Sequence, residues 1–166
     1  MIILRNQLVL LALLVIVTNK NSMVSQEQSH PYSSTIDTSY TVHSAYKKYV
    51  KNYPFISIAS YTPQGNVKMQ RNRVYHMYGK RAMLLDLFEP EGKSKVYRPC
   101  VILVHGGGWS SGNKSLLEPY ALALADKGYV TACMEYRLSG EALYPAAVLD
   151  VMESVKWIIA HAKEFS

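Results

Sequence analysis

The run Cys100-Val101-Ile102-Leu103-Val104-His105-Gly106-Gly107-Gly108-Trp109 decides how this chain of 166 residues is read. Its first five residues suit a strand buried on both faces. The three glycines then permit backbone paths that other residues rarely take. Such a loop lets backbone N–H groups face a carbonyl oxygen on which negative charge develops, the electrostatic requirement of acyl transfer.

Downstream, Ser115 to Lys127 reads as a helix, Tyr129 to Glu135 as a second apolar strand and Pro145 to about Lys163 as a second helix. Gly128 stops the first helix. In the last one Val148, Val151, Met152, Val155, Ile158, Ile159 and Ala162 recur at helical spacing and give one core-facing side. Strand, helix, strand is the pattern of a right-handed crossover in a buried parallel sheet. Upstream, Val67 to Tyr75 and Met83 to Phe88 pair as a hairpin about Tyr78-Gly79-Lys80, giving the sheet an antiparallel N-terminal edge. Ser44 to Val50 forms a short helix and Phe55 to Ala59 an extended segment.

The first residues read as an export signal: Arg5 supplies the positive start, and Leu8 to Val17 an apolar run shorter than the roughly 20 residues that span a bilayer. The organisation expected is a signal peptide over 1–24, a leader and N-terminal extension over 25–65, and the folded domain over 66–166. The protein is then secreted or periplasmic, with a membrane anchor the alternative if the signal stays uncleaved. Of the net charge of +6, Arg5 and Lys20 sit in or beside the signal, and most of the remaining excess is spread between Lys47 and Arg98, as in Lys47-Lys48, Arg71, Arg73, Lys80-Arg81, Lys93 and Lys95. Lacking a dense basic stripe or a nucleic-acid-reading motif, it is read as a solvated basic face with no nucleic-acid partner. Cys100 and Cys133 each lie in an apolar run and are read as core thiols.

Three competing motifs overlap the glycine loop. Gly108-Trp109-Ser110-Ser111-Gly112 has the form G-x-S-x-G, and Asp150 and His161 follow in the order of a serine triad. A nucleophile elbow, however, turns a strand straight into a helix with serine at the apex. Asp150 and His161 also fall on one helix about 16 Å apart. Gly107, Gly112 and Lys114-Ser115 approach a phosphate loop, but Asn113 displaces the lysine. The dinucleotide fingerprint fails because Ser111 stands in place of its third glycine. Asp126, Glu135 and Asp150 have no metal-ligand spacing with a histidine, so neither metal nor cofactor is expected.

The set His105-Gly106-Gly107-Gly108-Trp109, Ser111-Gly112-Asn113-Lys114-Ser115, Gly128-Tyr129-Val130, Glu135-Tyr136-Arg137-Leu138-Ser139, Tyr144-Pro145-Ala146-Ala147, Asp150-Val151 and Trp157 resembles the carboxylesterase branch of the α/β-hydrolases. Within that branch it is similar to exported acetyl and feruloyl esterase-like proteins that act on plant polysaccharides. The resemblance implies a three-layer α/β/α fold with a mostly parallel sheet and an antiparallel N-terminal hairpin. It implies that Gly107 and Gly108 donate to the oxyanion, with Trp109 a candidate further contributor, and that His105 organises the loop. It also implies that Arg137 and Asp150 belong to a buried polar network. Gly140 stands where that family segment usually has proline.

In the family, the strand bearing the nucleophile begins shortly after the position of Phe165-Ser166, and the triad aspartate and histidine come later. The sequence therefore reads as the N-terminal portion of a serine esterase, ending before the nucleophile elbow and expected to be inactive as given. Its expected partner is a small ester or an acylated polysaccharide. The alternatives are a noncatalytic binding protein of the same fold and a peptidase of the same fold.

Overall fold

The computed structural model describes residues 36, 37 and 39–165. The export signal over 1–24 and the first part of the leader lie outside the described residues. Helix α1 spans Val42–Tyr49 and begins two residues before the sequence suggests, because Thr41 caps it reciprocally with Ser44. The far end of the extension is tied down. Asp126 accepts from the Tyr61 hydroxyl and from the backbone N–H groups of Gln64 and Gly65. The Tyr61 bond, followed by those two N–H groups, holds the Asp126 carboxyl below its ordinary pKa.

Strands β1 (Val67–Tyr78) and β2 (Arg81–Pro90) form the expected antiparallel hairpin, with β1 starting where the sequence suggests but ending later and β2 longer at each end. Strand β3 (Cys100–Val104) is followed by a 3-10 turn over Lys114–Leu117, helix α2 (Glu118–Asp126) and strand β4 (Val130–Met134). The predicted helix thus opens as a 3-10 turn: Asn113 caps the turn through Ser115, and Pro119 then starts α2. Helix α3 spans Ala146–Ala160. The strand order β1-β2-β4-β3 puts β3 at one edge, parallel to β4, while β2 pairs with β4 and β1 antiparallel. The parallel pairing lies where the βαβ pattern predicts it, but it is one of three pairings, so over the described residues the sheet is mixed and not mostly parallel.

The inner strands β2 and β4 are buried on both faces, as three layers require, whereas β3, expected to be buried on both faces, is only partly buried because it lies at the edge. On one face Leu85, Leu87, Val130, Ala132 and Met134 pack with Ile158 of α3, and on the other Phe88 and Cys133 pack with Ala121 and Ala125 of α2. Two-residue alternation along β2 and β4 sorts these side chains. Cys100 and Cys133 are free thiols, pushed up by burial to about 11 and about 12 and therefore protonated at neutral pH. Part of the basic face is ion-paired while remaining open to solvent. Lys68 meets Glu89, Arg71 meets Glu118, Arg73 meets Glu164, and Arg81 meets Glu135 and Glu141. These carboxylates come from distant positions in the chain, so no local pattern announced them. No helix of the described residues is long and apolar enough to cross a membrane.

The polar network at the end of β4 is present. Arg137 donates through Nε and Nη2 to Asp150, whose side chain is fully buried, and the Arg137 backbone N–H donates to the same carboxylate at 2.7 Å. The guanidinium also lies 3.5 Å from the centre of the Tyr78 ring. Arg137→Met strands a buried carboxylate and is expected to lower unfolding free energy by about 3–5 kcal/mol, as read by urea denaturation. A loss of less than about 1 kcal/mol would place the pair with ordinary surface bridges.

Candidate functional site

The site begins where β3 ends. His105 is buried, its ring stacked on Tyr136 with centroids 4.4 Å apart, and the Tyr136 hydroxyl donates to the His105 carbonyl at 2.9 Å. The ring's Nδ1 lies 2.9 Å from the Gly106 carbonyl, which can only accept, so Nδ1 carries the proton. Burial lowers the His105 pKa, with the Gly106 bond opposing in part. The side chain is thus a neutral brace for the loop.

The loop then folds back on itself. The Gly107 carbonyl accepts from the backbone N–H groups of Ser110 and Ser111, at 3.2 and 3.1 Å, and from both serine hydroxyls. The N–H groups of Gly107 and Gly108 have no acceptor among the described residues. Both glycines have positive φ, +135° and +63°. A Cβ on Gly107 would collide with the Ser111 backbone, whereas one on Gly108 would meet only the Ser110 hydroxyl at 3.9 Å. Trp109 also sits at φ +64°, and its carbonyl accepts from the Ser139 N–H at 2.8 Å. That bond joins the loop to the segment after β4.

The serine, aspartate and histidine that mimic a triad are kept apart. Ser110 Oγ donates to Gly107, Asp150 is engaged by Arg137, and His161 stacks on Trp157 with its Nδ1 2.8 Å from that residue's carbonyl. Lys114 does not face a phosphate site, because its Nζ lies 2.8 Å from both oxygens of Asp86. Among the described residues no group of histidine, cysteine and carboxylate side chains could hold a metal ion.

Two features escaped the sequence reading. One is Asp86 itself, a buried carboxylate within the apolar run Met83-Leu84-Leu85-Asp86-Leu87-Phe88; its isolation there was the available signal. The other is an open cleft of about 310 Å³ that starts at Gly106 and runs between α1 and the start of α2. Tyr40, Val42, Ala45, Ala59, Leu117 and Tyr120 line it, so the extension supplies one wall.

An edge strand feeding a glycine loop, a βαβ crossover and an N-terminal antiparallel hairpin make this an α/β-hydrolase fold. Solved esterases share it: esterase B from Lactobacillus rhamnosis superposes with a TM-score of 0.58 at 23% identity, over 75% of this chain and 39% of that one. Residues 85–166 match the BD-FAE family model, which describes an α/β-hydrolase-type esterase family. Among curated proteins, "Probable carboxylic ester hydrolase LipM" of Mycobacterium tuberculosis is 31% identical over 93 residues, 55% of this chain and 21% of that protein. Carboxylesterase NlhH of the same organism is 36% identical over 67 residues, 40% of this chain and 21% of its own length. The chain thus spans about one fifth of the length of these curated relatives and about two fifths of esterase B.

The glycine contacts separate two substitutions. Gly108→Ala should cost only the strain of a left-handed residue, about 1–2 kcal/mol. Gly107→Ala must also open the turn, and should lower the urea midpoint further; equal losses would contradict this loop geometry. The depressed pKa of His105 carries a sign. As pH falls below 6.5 the unfolded chain takes up a proton before the folded one, so stability falls. His105→Phe keeps an aromatic ring against Tyr136 but cannot protonate. It should flatten the part of the urea-midpoint profile that declines below that pH, and an unchanged slope would show that His105 titrates normally.

Proposed function

We propose that this chain supplies the oxyanion-stabilising portion of an exported carboxylic ester hydrolase, acting on acetyl or feruloyl esters of polysaccharide. The observation that carries the reading is the pair of N–H groups at Gly107 and Gly108, which have no acceptor among the described residues, beside a Gly107 carbonyl engaged by Ser110 and Ser111. In such an enzyme a serine hydroxyl adds to the ester carbonyl while a histidine takes its proton. The oxygen that becomes negative is received by these donors. His105, neutral and engaged with Gly106, keeps the donors aimed and takes no proton. Among the described residues no serine meets a histidine as a nucleophile requires, so the 166-residue chain alone is expected to be inactive.

The cleft supports the acyl-group part of the reading. It opens at Gly106, directly beside the donors, and its walls are largely apolar with two tyrosines. An aromatic acyl group such as feruloyl would bury more apolar surface there than acetyl. The export part rests on the positive start at Arg5 and the apolar run Leu8 to Val17.

The test is made on the full-length product of the gene, with methyl ferulate and 4-nitrophenyl acetate as substrates. Gly108→Val should cut kcat by about 10²–10³ with its circular dichroism spectrum preserved, and His105→Ala should cost less. A well-folded Gly108→Val protein with near-normal kcat would remove the oxyanion assignment. Turnover by the 166-residue chain that disappears in Ser110→Ala would make Ser110 the nucleophile.

A further inference from the structure

We infer that Lys114 is a positioning residue for the glycine loop: clamped onto Asp86 and Asn72, it fixes the loop's far end so that the Gly107 and Gly108 N–H groups keep their aim. The inference rests on reading that loop as an oxyanion hole. Lys114 touches no substrate in this account and acts through the backbone.

The clamp is well built. Lys114 Nζ lies 2.8 Å from each Asp86 oxygen and 2.9 Å from Asn72 Oδ1, and the Asn72 backbone N–H donates to Asp86 at 2.8 Å. Arg71 adds a longer contact at 3.6 Å, while its guanidinium is engaged bidentately by Glu118. The Asp86 side chain is 3% exposed and that of Lys114 12%. The hairpin bends to make this arrangement possible. The β1–β2 register breaks between Gln70 and Arg73, and Asn72 within the break has φ +56°. A non-glycine residue in that conformation costs free energy and persists where its surroundings hold it. Here the strained residue supplies both an N–H to Asp86 and an acceptor to Lys114.

From Lys114 the restraint reaches the donors through two packed steps. Gly112, two residues earlier, presses on the start of the loop so closely that a Cβ there would lie 2.6 Å from the Gly106 carbonyl and 2.8 Å from His105 Nδ1. Ser111, between Gly112 and the loop, holds the Gly107 carbonyl through its N–H and its hydroxyl. Moving Lys114 therefore moves the contacts that decide where the Gly107 peptide points. Because a buried ion pair often adds little net stability over a neutral replacement, aim and folding can be separated.

The test compares Lys114→Met, Asp86→Asn/Lys114→Met and Lys114→Arg in the full-length product of the gene. The double variant leaves no stranded charge and keeps an acceptor for the Asn72 N–H, so its urea midpoint should approach that of the unmodified protein. Its kcat on 4-nitrophenyl acetate should nonetheless fall about tenfold or more with KM within twofold, and Lys114→Arg should recover most of the loss. A measurement independent of turnover is the ¹⁵N relaxation of Gly107 and Gly108. In the double variant their order parameters should drop from about 0.85 toward 0.6 or below, while those of β2 and β4 stay fixed. Unchanged order parameters, or a stable double variant with normal kcat, would overturn the inference. If Gly108→Val is impaired while the double variant is not, this inference alone fails. If Gly108→Val is normal, the oxyanion reading fails with it.

Discussion

The inward turn of the Gly107 carbonyl is the constraint on which the site depends. A peptide group is planar, so engaging its oxygen with Ser110 and Ser111 also fixes the direction of the N–H that follows, on Gly108. Four donors on one carbonyl is a heavy commitment for a surface loop, and it requires glycine at 107 because the Ser111 backbone occupies the space of a Cβ. Strand β3, held parallel to β4 at the sheet edge, sets where this turn begins.

Two buried carboxylates brace the turn from opposite directions. Asp86 on β2 receives Lys114 just beyond the loop, and Asp150 on α3 receives Arg137 just beyond β4. Arg137 is two residues before Ser139, whose N–H reaches back to Trp109 inside the loop. Both ends of the glycine segment are therefore tied to groups whose own partners lie in the sheet or against it. Tyr136 adds a third tie, stacking on His105 and donating to its carbonyl. Such redundancy fits the proposed oxyanion role, since preorganised donors cost nothing at the moment of reaction.

Much of this was legible in the sequence because it is local. The apolar run Cys100 to Val104, the alternation in the hairpin, the helical spacing from Val148 to Ala162 and the stop at Gly128 each fix an element within a few neighbours. The Arg137–Asp150 pair came from resemblance to a family rather than from spacing, and the structure contains it. What stayed hidden is long-range. Lys114, Asp86 and Asn72 converge from three elements, and a break in hairpin register cannot be read from composition. Asn72 between two arginines was a faint sign, since asparagine tolerates left-handed backbone better than most residues. The cleft wall was missed because Tyr40, Val42, Ala45 and Ala59 lie in a stretch that reads as leader and extension. Their role follows only from where Asp126 anchors the end of that stretch.

The most direct measurement is a crystal structure of the full-length product of the gene carrying a covalent phosphonate adduct on its nucleophile, since the tetrahedral phosphonyl group mimics the charged intermediate. The account predicts the phosphonyl oxygen at about 2.7–3.1 Å from the backbone nitrogens of Gly107 and Gly108, with the Gly107 carbonyl still turned toward Ser110 and Ser111. An adduct whose oxygen is held by other donors, with Gly107 and Gly108 facing away from it, would contradict it.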